Sequence, residues 1–249
     1  MVIQKNEELV KMREAGRITG LALRAAGKAV RPGMTALDLD RIVESTIRAE
    51  GAEPAFIGYR GYRHASCISI NEQIVHGIPT TRKLKEGDIV GIDVGAKMDG
   101  YCGDSAATFL VGKGTPEMTR LLDTAQTALA NGIKAARAGK RIGDISHTIQ
   151  TTIEAAGFSV VRDLFGHGIG RVLHEDPLIP NFGRQGTGDL LVEGMTIAIE
   201  PMVNAGTAEI RLMPDGWTIV TQDGKLSAHF EHTIRVTQGE PEILTQVSK

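Results

Sequence analysis

From Asn6 to Ala29 the chain returns to an apolar residue at helical spacing, through Val10, Ile18, Leu21, Ala25 and Ala29, which is the pattern of a helix with one buried face. Asn6 can cap it, Glu7 and Glu8 suit its first turn, and Arg31-Pro32-Gly33 stops it. A second helix is predicted from about Asp38 to Gly51, with Leu39, Ile42, Val43 and Ile47 on one face. Then the period changes. Ile89, Val90, Ile92 and Val94 form a β-branched run ending at Gly95, Met98-Asp99-Gly100 reads as a turn, and a second run extends from Tyr101 to Leu110. A hairpin is predicted. With its turn centred between Met98 and Asp99, Asp93 falls opposite Asp104. Facing side chains on an antiparallel pair lie about 5 Å apart at Cβ, so two like charges there repel. A turn cap or a bulge would relieve the repulsion, and a bound cation relieves it better.

The same pattern returns later in the chain. Residues 29–51, AVRPGMTALDLDRIVESTIRAEG, match residues 135–157, AARAGKRIGDISHTIQTTIEAAG, and residues 84–95, LKEGDIVGIDVG, match residues 191–202, LVEGMTIAIEPM. The second match sets Asp93 over Glu200. His76-Gly77-Ile78 likewise has a counterpart in His167-Gly168-Ile169. Three matches in one order predict a single domain over residues 1–249 built of two duplicated halves, about 1–112 and 113–249. Each half is then helices followed by a strand hairpin. The second hairpin would turn at Asp223-Gly224, between the strand around Trp217 to Thr221 and the strand carrying Glu231, the partner of Asp104.

Composition narrows the classes. A hydrophobic share of 41% with 23% charged residues is that of a globular protein, and a net charge of −2 gives no sign of nucleic-acid binding. No apolar run reaches membrane-spanning length, and the first residues lack a signal-peptide core. Two cysteines, Cys67 and Cys102, make no disulfide framework, and a reducing cytoplasm is the expected setting. The 30 glycines point to many turns and close backbone approaches.

Duplication carries chemistry with it. Asp93, Asp104, Glu200 and Glu231 would meet near one pseudo-two-fold axis, and four close carboxylates without counter-charge are strongly destabilising. A metal site resolves this. Of the seven histidines, His64, His147, His229 and His232 stand among polar neighbours and are read as solvated or capping. His167 lies in Phe-Gly-His-Gly-Ile-Gly, where the glycines allow a close backbone approach. The spacing there is not GxGxxG, and His174-Glu175 is not followed by the second histidine of an HExxH motif. Four carboxylates and an imidazole suit two divalent transition ions better than one structural zinc. Such pairs activate water for hydrolysis.

At this point a family is recognisable. Asp93, Asp104, His167, Glu200 and Glu231, within the blocks SCISINEQIVHGIP, GIDVGAKMDGYCGDSAATF, GHGIGRVLHEDP and GMTIAIEPM, resemble the five metal ligands and surrounding motifs of the methionine aminopeptidases, most closely the bacterial type I form. The resemblance implies the pita-bread α/β (α+β) fold, a curved antiparallel sheet flanked by helices in two pseudo-symmetric halves. It implies two divalent ions (Co, Mn, Fe or Zn) and removal of initiator methionine when the second residue is small. By the same resemblance, Asp93 is the bidentate ligand and Asp104 and Glu231 bridge. His167 and Glu200 complete one shell, and Glu200 is also the general base. His76 would contact the scissile amide and His174 its carbonyl, with Tyr59, Tyr62, Cys67 and Trp217 lining the methionine pocket. Three positions depart from the bacterial pattern: Phe56 in place of a small cysteine, Leu173 in place of phenylalanine, and Arg60 in place of histidine. Implied partners are nascent polypeptide N-termini and a transient ribosome contact, for a cytoplasmic monomer that binds no specific nucleic acid and no membrane. A proline-specific peptidase or creatinase of the same fold, and a binding module with decayed ligands, are the rival readings. Both fit less well, because the large N-terminal domain of the former is absent and all five ligands are intact.

Overall fold

The computed structural model describes residues 1–247. Helix α1 spans Asn6–Ala29 and α2 spans Ala36–Ala49. Lys5, not Asn6, is the N-cap of α1, and the Glu8 carboxylate takes the freed N–H groups of Gln4 and Lys5. The buried face of α1 is Leu9, Met12, Ala15, Ile18, Ala22, Leu23 and Ala26, so Val10 falls on the solvent side at 55% exposure. Helix α2 starts two residues earlier than predicted because Thr35 and Asp38 form a capping box, each side chain accepting from the other's backbone N–H.

Five strands follow: β1 (Glu53–Pro54), β2 (Ser66–Ile70), β3 (Gln73–Val75), β4 (Ile89–Met98) and β5 (Tyr101–Leu110). Strands β4 and β5 form the hairpin, paired over their full length, with β2 and β1 on the other edge of β4. The predicted register is corrected. Met98 faces Tyr101, so the two-residue turn is Asp99-Gly100, both at positive φ (49° and 80°) as such tight hairpin turns require. Asp93 therefore faces Ala106, and Asp104 faces Gly95. The shift is by an even number of residues, so the two carboxylates remain on one face as diagonal neighbours.

Helices α3 (Pro116–Ala135) and α4 (Ile142–Ala155) open the second half. Its strands are β6 (Ser159–Val160), β7 (Phe165–Gly168), β8 (Glu175–Pro180), β9 (Thr196–Ile199), β10 (Met202–Asn204), β11 (Ile210–Leu212), β12 (Ile219–Thr221), β13 (Ser227–His229), β14 (His232–Arg235) and β15 (Glu242–Ile243). All pairings are antiparallel: β15-β14-β9-β7-β8 in one sheet, β13-β10-β6 and β11-β12-β3 in two smaller ones. The expected hairpin across Asp223-Gly224 is not formed. Strand β12 pairs with β11 and β3, and the Asp223 carboxylate instead caps the N–H groups of Thr207 and Lys225, tying two loops together. The strand pair that carries Glu200 and Glu231 is β9–β10 against β13–β14. Ile199 faces His232 and Met202 faces His229, which sets Glu200 across from Glu231 at the break between them.

Two apolar cores separate helices from sheet. Ile18, Leu39, Val43 and Ile47 pack on Ile68 and Ile92 in one, and Leu121, Ile145, Ile149 and Ile153 pack with Ile197 and Ile234 in the other. Each such side chain contributes about 1.5–3 kcal/mol on burial. The fold is the pita-bread architecture: mixed helix and antiparallel sheet, with helices on the outside and a sheet surface left for a site. No helix among the described residues is long and apolar enough to cross a membrane.

Strand β5 and residues 229–233 join along one seam. Glu231 exchanges backbone hydrogen bonds with Ala106 of β5 at 2.8 and 3.4 Å. On one side of this pair the Thr233 hydroxyl accepts from Asp104 N (2.9 Å) and donates to Asp104 O (2.8 Å). On the other, the Thr108 hydroxyl does the same for His229 N and O, both at 2.9 Å. The backbones of Asp104, Glu231 and His229 are thus fixed by bonds that cross the molecule.

Candidate metal centre and its apolar pocket

Strand β7 brings His167 to the seam, and the glycines around it permit the approach. A Cβ at Gly166 would meet the Ala198 carbonyl, and one at Gly168 the Asp176 carbonyl. His167 Nδ1 lies 2.9 Å from the Gly168 carbonyl. A carbonyl only accepts, so Nδ1 carries the proton and the Nε2 lone pair faces inward. Nε2 stands 3.8 Å from Asp104 Oδ2 and 3.6 Å from Glu200 Oε1. Ligand-type atoms of Asp104, His167 and Glu231 all lie within 4.8 Å of one another. Asp93 of β4 stands beside Asp104 on the same sheet face.

Two of these carboxylates are nearly dry. Asp104 is 4% exposed and Glu231 2%. Buried Asp93 Oδ1, Asp104 Oδ1 and Glu231 Oε1 have no hydrogen-bond partner within the described chain. Burial, reinforced by neighbouring carboxylates, pushes Asp104 and Glu231 well above the usual range. Burial also raises Asp93 and Glu200 to about 7. Unsatisfied oxygens of like charge around an imidazole with an inward lone pair are the donor set a divalent cation needs, and the residues fit such an ion. One consequence is measurable. Without metal the cluster holds protons near neutral pH that ligation must expel, so apparent metal affinity is expected to rise with pH through about 7. Titration calorimetry of the metal-free protein at pH about 6.5, in buffers of different ionisation enthalpy, should show more than about one proton released. Heats independent of buffer would contradict the protonated cluster.

A cavity of about 700 Å³ opens onto the carboxylates. All eleven residues singled out in the sequence line it: Tyr59, Tyr62, Cys67, His76, Asp93, Asp104, His167, His174, Glu200, Trp217 and Glu231. Its apolar end is a cluster of Phe56, Tyr62, Cys67, Cys102, Ile169 and Leu173, with Tyr59 and Trp217 packed against it. Tyr62 and Trp217 meet edge to face at 4.9 Å, and burial pushes the Cys67 thiol up, so it remains an uncharged wall. Cys67 faces Asp93 across β2 and β4, which places the pocket directly beside the carboxylates. The Phe56 ring packs against Gly95, where a Cβ would come within 2.5 Å of it.

His76 follows β3 with a positive φ of 57°, a conformation that costs a non-glycine residue energy and persists only when neighbours impose it. Here the next residue is clamped to β2, Gly77 O accepting from Ile68 N at 2.8 Å. Desolvation, then His229, lowers the His76 pKa to about 4. His174 stands at the mouth, stacked on Tyr59 at 5.0 Å and 4.1 Å from the His167 ring. Desolvation on the cavity side, then His167, pushes it below the ordinary histidine range. Both imidazoles are neutral at pH 7.

Two histidines read as solvated or capping are not. His229 is 4% exposed and 3.6 Å from Glu200 Oε2, and His232 is held between Ser105 and Thr245. Cys102 and Ile169 of the pocket were also missed. Strand alternation from Asp104 to Cys102 and from Glu231 to His229 was the available signal.

The family model for metallopeptidase family M24 matches residues 10–238. Methionine aminopeptidase 1 of Bacillus subtilis is 49% identical over 248 residues, covering 99% of this chain and all of that protein. Methionine aminopeptidase of Escherichia coli is 46% identical over 245 residues, 98% of this chain and 93% of the relative. The crystal structure of a methionine aminopeptidase from Thermotoga maritima superposes with a TM-score of 0.97 at 47% identity, covering 99% of this chain and 100% of that one. A prolidase from Pyrococcus furiosus, at 22% identity and a TM-score of 0.80 over all of this chain and 66% of its own, shares the fold. The chain is a metallopeptidase of family M24. Within that family it groups with the methionine aminopeptidases of bacterial type, and membership implies use of a divalent metal.

Proposed function

We propose that this protein removes the N-terminal methionine of polypeptides whose second residue is small, with two divalent ions held by Asp93, Asp104, His167, Glu200 and Glu231. The observation that carries this reading is the junction of an apolar, aromatic-lined pocket with a buried, proton-hungry carboxylate cluster in one cavity. When bound, the ions supply Lewis-acid activation of water and of the scissile carbonyl. The rest falls to the protein. Asp93, Asp104 and Glu231 contribute negative charge at fixed positions, two of them through backbones locked at the seam. Glu200 takes the proton from the attacking water and passes it towards the leaving amine, a task suited to a carboxylate raised to about 7. The pocket of Tyr59, Tyr62, Cys67 and Trp217 holds the methionine side chain, so the first peptide bond lies over the cluster. Neutral His174 donates towards the carbonyl as charge develops there, and His76 contacts the scissile amide. In this reading the substrates are N-termini of nascent chains in the cytoplasm, met by a monomer through a transient ribosome contact. One carboxylate pair comes from the β4–β5 hairpin and the other from the strand pair of β9–β10 and β13–β14.

Titrating the metal-free protein separately with Co, Mn, Fe and Zn while following a Met-Ala-Ser peptide tests the reading. Activity should appear as metal is added and saturate near two ions per chain. Saturation at one ion would sink the dinuclear assignment, and no hydrolysis with any ion would sink the function. His76→Ala should lower kcat and kcat/KM together, by roughly 100-fold or more, with metal content unchanged. Loss of metal instead would make His76 a ligand.

A further inference from the structure

Among the buried polar groups of the cavity, the His229 imidazole has no role in the scheme above. It is 4% exposed, and its Nε2 has no hydrogen-bond partner among the described residues. Buried ring nitrogens are seldom left so. Its position is not an accident of a loose side chain. His229 closes β13 opposite Met202 of β10, and Thr108 of β5 bonds both its N–H and its carbonyl at 2.9 Å. The ring is thereby delivered to the side of Glu200 away from His167. Glu200 Oε1 is 3.6 Å from His167 Nε2, and Oε2 is 3.6 Å from His229 Nε2. Glu200 itself lies at the break between β9 and β10, where the ladder that would fix its backbone is interrupted, and its carboxylate stands between two imidazoles.

We propose that His229 is a positioning residue for Glu200: its Nε2–H holds Oε2, fixing the rotation of the carboxylate and keeping Oε1 on the His167 side, where it would be available to a bound ion. This rests on the reading of Glu200 as both ligand and proton acceptor. A carboxylate with two tasks has to keep its oxygens distinct, and a donor on one of them does so. His167 cannot serve, because its Nδ1 proton is committed to the Gly168 carbonyl and its Nε2 offers a lone pair. Residues that orient a ligand in this way typically alter metal affinity or activity 10–100-fold when removed.

The test uses the full-length protein loaded with cobalt(II), in wild type, His229→Ala and His229→Gln. Glutamine returns an N–H donor at a similar reach without an imidazole. Three quantities are read: cobalt stoichiometry and affinity by calorimetry, the visible absorption bands of the bound cobalt, and kcat and KM on Met-Ala-Ser. The alanine variant should bind the same number of ions with affinity reduced about 10-fold or more. Its cobalt bands should shift, and its kcat should fall about 10–100-fold with KM within about twofold. Glutamine should restore the spectrum and most of kcat. Unchanged bands and kcat in the alanine variant would overturn the proposal. So would equal losses in both variants, which would indicate packing, or loss of one ion, which would make His229 itself a ligand. If wild type binds cobalt but hydrolyses nothing, the peptidase reading falls. The spectral shift and its reversal by glutamine would then still uphold the His229–Glu200 contact. Failure of wild type to bind cobalt would overturn both.

Discussion

Replacing Asp104 with alanine is expected to abolish peptidase activity while leaving the metal-free protein as stable as before, or more so. The two outcomes have one cause. Asp104 is 4% exposed, its Oδ1 has no partner among the described residues, and its nearest charged neighbours are carboxylates. Removing it relieves repulsion and desolvation that the metal-free fold otherwise bears. The backbone should not notice, because the bonds to Thr233 run through Asp104 N and O and survive the substitution. With metal the balance reverses. A shared negative charge is gone from between His167 and Glu231, and affinity should fall by more than about 100-fold, since even groups that merely support a ligand are worth 10–100-fold. Thermal unfolding with and without metal, together with calorimetry, reads both effects. A variant with near-normal activity at saturating metal would refute a role for Asp104 in the centre. A metal-free variant markedly less stable than wild type would refute the repulsion.

How much of this was legible in the sequence depends on the range of the interactions concerned. The α2 face, the β4–β5 hairpin and the glycine-flanked His167 follow from local period and turn chemistry, and the structure places them accordingly, whereas of the predicted α1 face only Ile18 is fully buried. The register error at Asp99-Gly100 was also local, a choice between two candidate turn pairs. It did no harm to the site because an even shift preserves the face. The second half was harder. Asp223-Gly224 looks like a hairpin turn, yet Thr207 competes for its carboxylate and β3 competes for the strand before it, both distant in sequence. His229 shows the limit most clearly. Alternation from Glu231 puts it on the site face, but its neighbours in the chain are polar, and its burial comes from Thr108 and Glu200, both distant in sequence. Glu200 was matched to Asp93 by the repeat and Glu231 to Asp104, and the break in the strands that sets the two glutamates across from each other could not have been read from period alone.

Met-Ala-Ser is expected to be cleaved efficiently, Met-Val-Ser slowly, and Met-Lys-Ser or Leu-Ala-Ser barely or not at all. Under the proposed function the first residue is selected in the apolar end of the cavity. Tyr62 and Trp217, edge to face at 4.9 Å, form one wall, and buried Phe56, Cys67 and Leu173 close the rest. A thioether is unbranched and polarisable, so it can thread such a slot and contact the rings. Leucine carries its branch where that slot is bounded by aromatic rings. Differences of this size in an apolar pocket are worth about 10–200-fold in kcat/KM. Phe56 and Leu173 should not change the preference. The ring added at Phe56 packs against Gly95, and the smaller Leu173 of the same cluster returns volume, so the two changes offset each other. Past the scissile bond the constraint is different. In the proposed mode the bond would lie over Glu200 with His76 and His174 beside it, and the His76 backbone is held by its positive φ and the Gly77 clamp. A large second side chain would press on these rings and lift the bond from the cluster, and small displacements there cost orders of magnitude in rate. Gly95→Ala supplies the internal check. It should push Phe56 into the slot and lower kcat/KM for Met-Ala-Ser through KM, with metal affinity unaltered. Equal kcat/KM for Leu-Ala-Ser and Met-Ala-Ser in the wild-type protein would refute the pocket assignment even if the metal chemistry held.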